Sequence, residues 1–166
     1  MRITGSTLLL LTLAMSSTFA IAAPDSQVAQ RKDVTLTLAN SLASATVAAC
    51  HAQGKTSVVA VVDRGGNLVA VQRDDNVGPH NTLAAQRKAY TALSTKTPTR
   101  LLAERARSSP ETENLNTVSE LLLLGGGVPL MVNNEVIGAI GVAGAGGAAF
   151  DEGCALTAIS QTLTSN

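Results

Sequence analysis

The feature of this sequence that most constrains its fold is a pair of short apolar stretches on either side of a tight turn. Ser57 to Val62 is an uninterrupted run rich in valine, Asp63 to Asn67 reads Asp-Arg-Gly-Gly-Asn, and Leu68 to Arg73 is a second strand-forming stretch. Two such runs joined by turn residues predict a β-hairpin and therefore an antiparallel sheet. We expect the first run to lie in the centre of this sheet, because it is apolar throughout.

Three further apolar stretches predict three further strands. They are Leu121 to Leu124, Val128 to Val132 and Val136 to Val142, and they are separated by Gly125-Gly126-Gly127 and by the Asn133-Asn134 turn. Tight turns between consecutive strands again favour antiparallel pairing. The sequence therefore predicts a sheet of five strands.

Helical periodicity accounts for most of the remaining chain. A long helix is predicted from Gln27 to Gln53, with apolar residues on two faces, so that the second face could pack on another subunit. Asn81 is a good N-cap for a helix that continues to Ser94, and a short helix is predicted from Arg100 to Arg107. Ser108 to Thr117 is expected to be a surface loop, and Phe150 to Leu163 a final helix. Helices packed on an antiparallel sheet define an α+β fold.

Length and charge limit the organisation of the chain and the class of its partners. The chain has 166 residues, which is enough for one domain with a sizeable core. Its 12 Lys and Arg residues balance 12 Asp and Glu residues, so neither nucleic acid nor an anionic membrane is an expected partner. Only 2% of the residues are aromatic, which argues against the stacking of single-stranded bases.

The N-terminus has the three parts of a signal peptide. Arg2 supplies a positive charge, Leu8 to Met15 form a short apolar run, and Ala20-Ile21-Ala22 fits the small-x-small rule for cleavage. The apolar run is too short to span a membrane. We therefore predict a signal peptide in residues 1–22, a single mature domain in residues 23–166, and a periplasmic or secreted location. A buried N-terminal helix is the alternative.

Export changes the interpretation of the two cysteines. Cys50 and Cys154 lie far apart in the sequence, and an oxidising compartment would allow a disulfide between them to persist. A bridge between the first and last helices and two separately buried thiols both remain open at this point.

No motif for hydrolytic or nucleotide chemistry is supported. The sequence has no nucleophile elbow, H-E-x-x-H motif or P-loop. Gly144 to Ala149 satisfies a G-x-G-x-x-A pattern, but too few residues follow it for the second parallel strand of a dinucleotide-binding unit. What remains is a glycine loop that serves as a tight turn or presents free amides to an anion.

Both histidines are candidate iron ligands, because a neutral imidazole nitrogen binds iron well. His51 ends the first helix, where a solvent-facing polar role is the alternative. His80 lies at the start of the next helix, with Arg87, Lys88 and Tyr90 one to three turns further on. Together these residues would supply a ligand and counter-charges to a planar iron cofactor with two carboxylates. A structural loop histidine is the alternative for His80.

Six short motifs, taken in order, resemble those of the GlcG/HbpS heme-binding family. They are Val61-Val62-Asp63-x-x-Gly66-x-Leu68-Val69, Arg73-x-Asp75, Arg87-Lys88-Ala89-Tyr90-Thr91-Ala92, Gly126-Gly127-Val128-Pro129-Leu130, Gly138-Ala139-Ile140-Gly141-Val142 and Asp151-Glu152-x-Cys154-Ala155. They cover nearly all of the predicted mature chain. One departure is Ala143, which stands before the glycine loop where many relatives have serine.

The resemblance implies a profilin-like α+β domain, with a five-stranded antiparallel sheet flanked by helices, that assembles into homo-oligomers and often into octamers. It also implies heme as the cofactor. We take His80 as the first-choice iron ligand, and His51, Arg87, Lys88 and Tyr90 as further heme-binding residues.

The leading hypothesis is an exported protein that sequesters, stores or transfers heme. The alternatives are an enzyme that degrades heme or acts on a small carboxylate, and a non-catalytic oligomeric accessory or sensor protein. Binding through a neutral imidazole predicts that heme affinity falls below about pH 6.5.

Overall fold

The computed structural model describes residues 27–163, and the domain begins at Lys32. The predicted signal peptide, residues 1–22, lies outside the described residues. In chain order the domain contains α1 (Leu36–His51), β1 (Val58–Asp63), β2 (Leu68–Arg73), α2 (His80–Thr95), α3 (Thr99–Ala106), α4 (Pro110–Glu113), a 3₁₀ turn (Asn114–Thr117), β3 (Gly127–Val132), β4 (Glu135–Ala143) and α5 (Ala148–Leu163). The predicted α+β class is confirmed.

The strands form one antiparallel sheet in the order β2-β1-β4-β3. The β1–β2 hairpin is confirmed, and β1 lies between β2 and β4, as its apolar sequence predicts. The β3–β4 hairpin turns at Asn133 and Asn134, whose φ angles are 51° and 63°. Asparagine tolerates this left-handed conformation, which two-residue hairpin turns require at both central positions.

The described residues contain four strands, so the prediction of five was wrong. The apolar segment Leu121 to Leu124 is irregular, and its backbone groups bond to side chains and to nearby backbone groups rather than to a neighbouring strand. The Leu122 amide donates to Thr91 Oγ1 at 2.8 Å, and the Leu124 carbonyl accepts from Thr99 Oγ1 at 2.8 Å. The segment therefore covers α2 and α3 instead of extending the sheet.

Helix boundaries also differ from the predictions, and the final helix begins at Ala148 rather than at Phe150. The first helix begins at Leu36 rather than at Gln27, because the Thr35 hydroxyl caps it by accepting from the Leu38 amide at 3.2 Å. The second helix has Pro79 as its N-cap, and Asn81 lies in its first turn with its side-chain amide donating to the Gly78 carbonyl. The predicted loop from Ser108 to Thr117 contains α4 and the 3₁₀ turn.

Helices cover both faces of the sheet. Because side chains alternate along a strand, Val59 and Val61 of β1 pack under α1 and α5, while Val58 and Ala60 face α2. The side with two helices holds the larger part of the buried apolar core. On the other side α2 contacts the sheet through a stripe of alanines, of which Ala85, Ala89 and Ala92 are fully buried.

Glycines let α2 lie directly on the backbone of the sheet. A Cβ atom added to Gly141 of β4 would overlap the carbonyl oxygen of Ala85, and one added to Gly127 of β3 would overlap the carbonyl oxygen of Lys88. No larger residue fits either position without moving the helix. The position of α2 over β3 and β4 is therefore set by backbone contact.

A disulfide joins the two helices on the opposite face. Cys50 of α1 and Cys154 of α5 are bonded to each other across a sequence separation of 104 residues. Of the two alternatives that the sequence left open, the structure therefore has the disulfide and not the two free thiols. None of the helices in residues 27–163 is long and apolar enough to cross a membrane.

Candidate functional site

The outer surface of α2 is flanked by two clefts. The first, which we call the glycine cleft, has a volume of about 330 Å³ and is lined by His80, Asn81, Ala84, Lys88, Leu124, Gly144, Gly146, Gly147, Ala148 and Asp151. The second, the tyrosine cleft, has a volume of about 490 Å³ and is lined by Val62, Gly66, Leu68, Leu83, Gln86, Arg87, Tyr90, Ser119 and Glu120. Both volumes fall within the range of small-molecule sites.

The helical repeat separates residues that the sequence grouped together. His80, Ala84 and Lys88 are spaced by four and lie on the side of α2 that faces the glycine loop. Arg87 and Tyr90 lie on the side that faces β2. The five predicted heme-binding residues therefore do not form one cluster.

His80 stands at the rim of the glycine cleft. It is exposed, it is the first residue of α2, and its ring lies against Gly78, where an added Cβ would be 3.0 Å from Cε1. Within residues 27–163 the ring makes no hydrogen bond, so either of its nitrogens is free to bind a ligand.

The opposite wall of this cleft is glycine backbone. Gly144, Gly146 and Gly147 have φ angles of 98°, 97° and 136°, a region that L side chains rarely adopt. With no side chains on these residues, a flat ligand can approach the main chain closely. The sequence predicted a tight glycine loop here, and the structure places it opposite His80.

Lys55 is a cation beside this wall that sequence reasoning missed. Its Nζ lies 3.7 Å from where a Cβ of Gly146 would be, and 4.6 Å from the centroid of the Phe150 ring. Lys55 precedes β1 by only a few residues, and no local pattern indicates that it approaches a loop some ninety positions later.

The floor of the glycine cleft is a buried ion pair. Lys88 is 2% exposed, and its Nζ donates to Asp151 Oδ2 at 2.7 Å and to the Val142 carbonyl at 2.9 Å. The other carboxylate oxygen, Asp151 Oδ1, accepts from the Ala145 amide at 2.9 Å. The charge of Lys88, predicted from the sequence to face a carboxylate of the cofactor, is thus paired inside the domain.

The tyrosine cleft is more apolar than the glycine cleft. Its walls include the aliphatic side chains of Val62, Leu68 and Leu83, and the Tyr90 ring packs over Gly66 at its edge. The Arg87 guanidinium donates from Nη2 to the Leu121 carbonyl at 2.5 Å, and its buried Nε has no partner in the described residues. A wider depression of about 650 Å³ adjoins this cleft at Tyr90.

His51 lies outside both clefts. Its Nε2 pairs with Asp74 Oδ1 at 2.9 Å, and Asp74 Oδ2 accepts from the Ser57 amide at 2.7 Å. This network fastens the end of α1 to the hairpin. A carboxylate behind an imidazole also orients the ring and makes its other nitrogen a better metal ligand.

The first turn of α5 is held from outside by Arg100 of α3. Its guanidinium bonds to the buried Glu152 and to Glu104, and these two carboxylates raise the pKa of Arg100.

No group of three metal-binding side chains occurs in the part of the chain that the structure describes.

The fold and the clefts define an α+β domain with two clefts of small-molecule size on the outer side of one helix. Residues 34–160 match the family described as "Haem degrading protein HbpS-like", and the chain belongs to this family.

Individual relatives agree with this assignment. Protein GlcG of Escherichia coli K12 is 34% identical over 109 residues, which cover 63% of this chain and 80% of GlcG. A double mutant of Streptomyces reticuli HbpS is 35% identical, with a TM-score of 0.80 over 88% of this chain and 98% of that one. A PduOC:heme complex is 26% identical, with a TM-score of 0.70 over 77% of this chain and 94% of that one.

Proposed function

We propose that the protein binds heme in the glycine cleft, with His80 as the iron ligand. The observation that carries this proposal is the His80 imidazole, which is exposed, free of hydrogen bonds in the described residues, and held at the rim of a cleft with a glycine wall. When bound, heme would supply an iron centre that takes an axial nitrogen ligand.

The residues around His80 fit a porphyrin edge. Ala84, Leu124 and Ala148 give the cleft apolar contacts, and the glycine wall leaves room for a flat ring. Lys55 lies beside that wall and would pair with a propionate. Lys88 contributes from the floor by holding Asp151, rather than by reaching the ligand.

The tyrosine cleft is the alternative binding site for heme. Its aliphatic walls suit a porphyrin better than those of the glycine cleft, Arg87 would face a propionate, and Tyr90 would be the iron ligand. His51, backed by Asp74, is the third candidate ligand. These three residues lie far enough apart on the surface for single substitutions to distinguish them.

The relatives support the heme assignment. One structural neighbour is a complex with heme, and the matched family is described as haem-degrading. The disulfide between Cys50 and Cys154 supports export, because such bonds persist in oxidising compartments and are rare in the cytosol. We therefore propose a periplasmic or secreted location, in which the protein would sequester, store or transfer heme.

Titration of the purified protein with hemin, followed at the Soret band, tests the proposal. We expect a saturable band that His80→Ala removes or shifts, because the iron loses its axial nitrogen. Tyr90→Phe and His51→Ala are the matched variants at the two alternative positions, and they should leave the band unchanged. A wild-type spectrum retained in His80→Ala but lost in Tyr90→Phe would move the heme to the tyrosine cleft.

Heme degradation is the second candidate function, and the description of the matched family favours it. The hemin-loaded protein would be incubated with ascorbate and oxygen. A Soret band that persists supports storage or transfer. Loss of the band together with the appearance of a linear tetrapyrrole would instead support an enzyme.

A further inference from the structure

The buried pair of Lys88 and Asp151 has no direct role in the proposed binding of heme. Their side chains are 3% and 4% exposed, so neither charge reaches solvent. Taking two charges out of water is costly, and replacing a buried ion pair by apolar side chains is often neutral or stabilising. The pair therefore needs an explanation other than the stability of the whole domain.

Every polar contact of the pair leads to the glycine loop or to the elements on which it rests. Lys88 Nζ binds the Val142 carbonyl near the end of β4, two residues before Gly144. Asp151 Oδ1 binds the Ala145 amide within the loop, and the Asp151 amide donates to the Gly147 carbonyl at 3.0 Å. The two side chains thus connect α2, β4, the loop and α5.

The loop needs such a connection because its own residues do not fix its shape. Three of the four residues from Gly144 to Gly147 are glycines, which lose the most conformational freedom when they become ordered. All three have positive φ angles. A buried carboxylate that accepts an amide in the middle of the loop selects one conformation from many.

We infer that Lys88 and Asp151 are positioning residues that hold the glycine loop in place as the wall of the glycine cleft, and that they thereby set the affinity of that cleft. The part of this inference that concerns affinity rests on the proposed function. The part that concerns the loop does not.

The test uses a double variant, because a single substitution would leave one charge buried without its partner. Lys88→Met with Asp151→Ala removes both charges and the acceptor for the Ala145 amide. Lys88→Met with Asp151→Asn removes the charges but keeps a side-chain oxygen as the acceptor. The control, Arg64→Met with Glu135→Gln, removes an ion pair about one-third exposed between the two hairpins, outside the glycine cleft.

Amide hydrogen exchange in the ligand-free protein is the first measurement. In the Met/Ala variant we expect the Ala145 amide, which loses its acceptor, to exchange about tenfold faster or more, while the β1 amides keep their protection. The Met/Asn variant should recover most of the loop protection. The control should match the wild type at the loop.

Hemin affinity is the second measurement. We expect the dissociation constant to rise about 10- to 100-fold in the Met/Ala variant, as it does when the groups that orient a metal ligand site are removed. Unchanged loop exchange and unchanged affinity would overturn the inference. Failure of the Met/Ala variant to fold would also overturn it, since the pair would then be needed for the whole domain. A wild-type protein that takes up no hemin would contradict the proposed function, while the exchange data would still decide the role of the pair.

Discussion

Gly141 shows how strongly a single residue controls the site. Because α2 rests on the backbone of β4 at this point, even one added methyl group would displace the helix that carries His80, Arg87 and Tyr90. Gly153 is a contrasting case. It lies in α5, and a Cβ added there would have no atom within 4 Å.

These two glycines give a matched prediction. Gly141→Ala should lower the free energy of unfolding by about 1–3 kcal/mol, because the core is already filled at that position. Gly153→Ala should raise it by about 0.5–1 kcal/mol, because alanine favours the helix more than glycine does. Urea denaturation of both variants provides the measurement. Equal stabilities would mean that α2 moves away from β4 without cost.

The positions and partners of individual side chains could be predicted from the sequence only where those partners lie nearby in the chain. The position of His80 at the start of α2 follows from neighbouring residues, including Pro79. The pairing of Lys88 with Asp151 does not, because 63 positions separate them. The sequence therefore does not show that the charge of Lys88 is paired inside the domain.

At the scale of elements, the disulfide joins α1 to α5 on the face opposite α2. Replacing Cys50 and Cys154 together by alanine should lower the free energy of unfolding by about 2–5 kcal/mol, because the bridge closes a long loop and so restricts the unfolded chain. Thermal melting under non-reducing conditions checks this. Treatment of the wild type with a reductant in denaturant, followed by refolding, should give the same lowered melting temperature. If the double variant had the same melting temperature as the wild type, the packing of the two helices would be sufficient to stabilise the domain without the disulfide.

Strands could be predicted where the sequence pattern and the residues that pair with it lie close together in the chain. The β1–β2 hairpin was confirmed, because both strands, the turn residues and the pairing lie within residues 57–73. The central place of β1 was confirmed because the strand is apolar throughout, although its second partner, β4, lies far along the chain. Leu121 to Leu124 has the same apolar character, yet its backbone partners include the hydroxyl groups of Thr91 and Thr99 and no neighbouring strand. A strand pattern cannot reveal that side chains from distant helices will satisfy those backbone groups.

At the scale of the whole molecule, large apolar side chains remain exposed around the tyrosine cleft. Leu68 is 49% exposed and Leu83 is 59% exposed. Exposed apolar surface of this kind is typical of a contact between subunits. We therefore propose that the protein assembles into a homo-oligomer through this side of α2.

Size-exclusion chromatography with light scattering tests this proposal. We expect the wild type to elute as an oligomer and Leu83→Glu to shift it towards the monomer, because the new charge would be desolvated at the contact. Leu156→Glu on α5, at a position that is 48% exposed on the opposite face, is the control and should leave the assembly intact. A wild type that is already monomeric would contradict the proposed assembly.

The wide separation of Cys50 and Cys154 also has a consequence for the biogenesis of the protein. A chain is synthesised from its N-terminus, so Cys50 is made long before Cys154, which lies in the last helix described. The bond cannot close before α5, which carries Cys154, has been synthesised. A chain that stops short of α5 retains a single thiol with no intramolecular partner. Closure of this one bond is therefore a chemical mark of completed synthesis, by which a quality-control system could tell finished molecules from truncated ones.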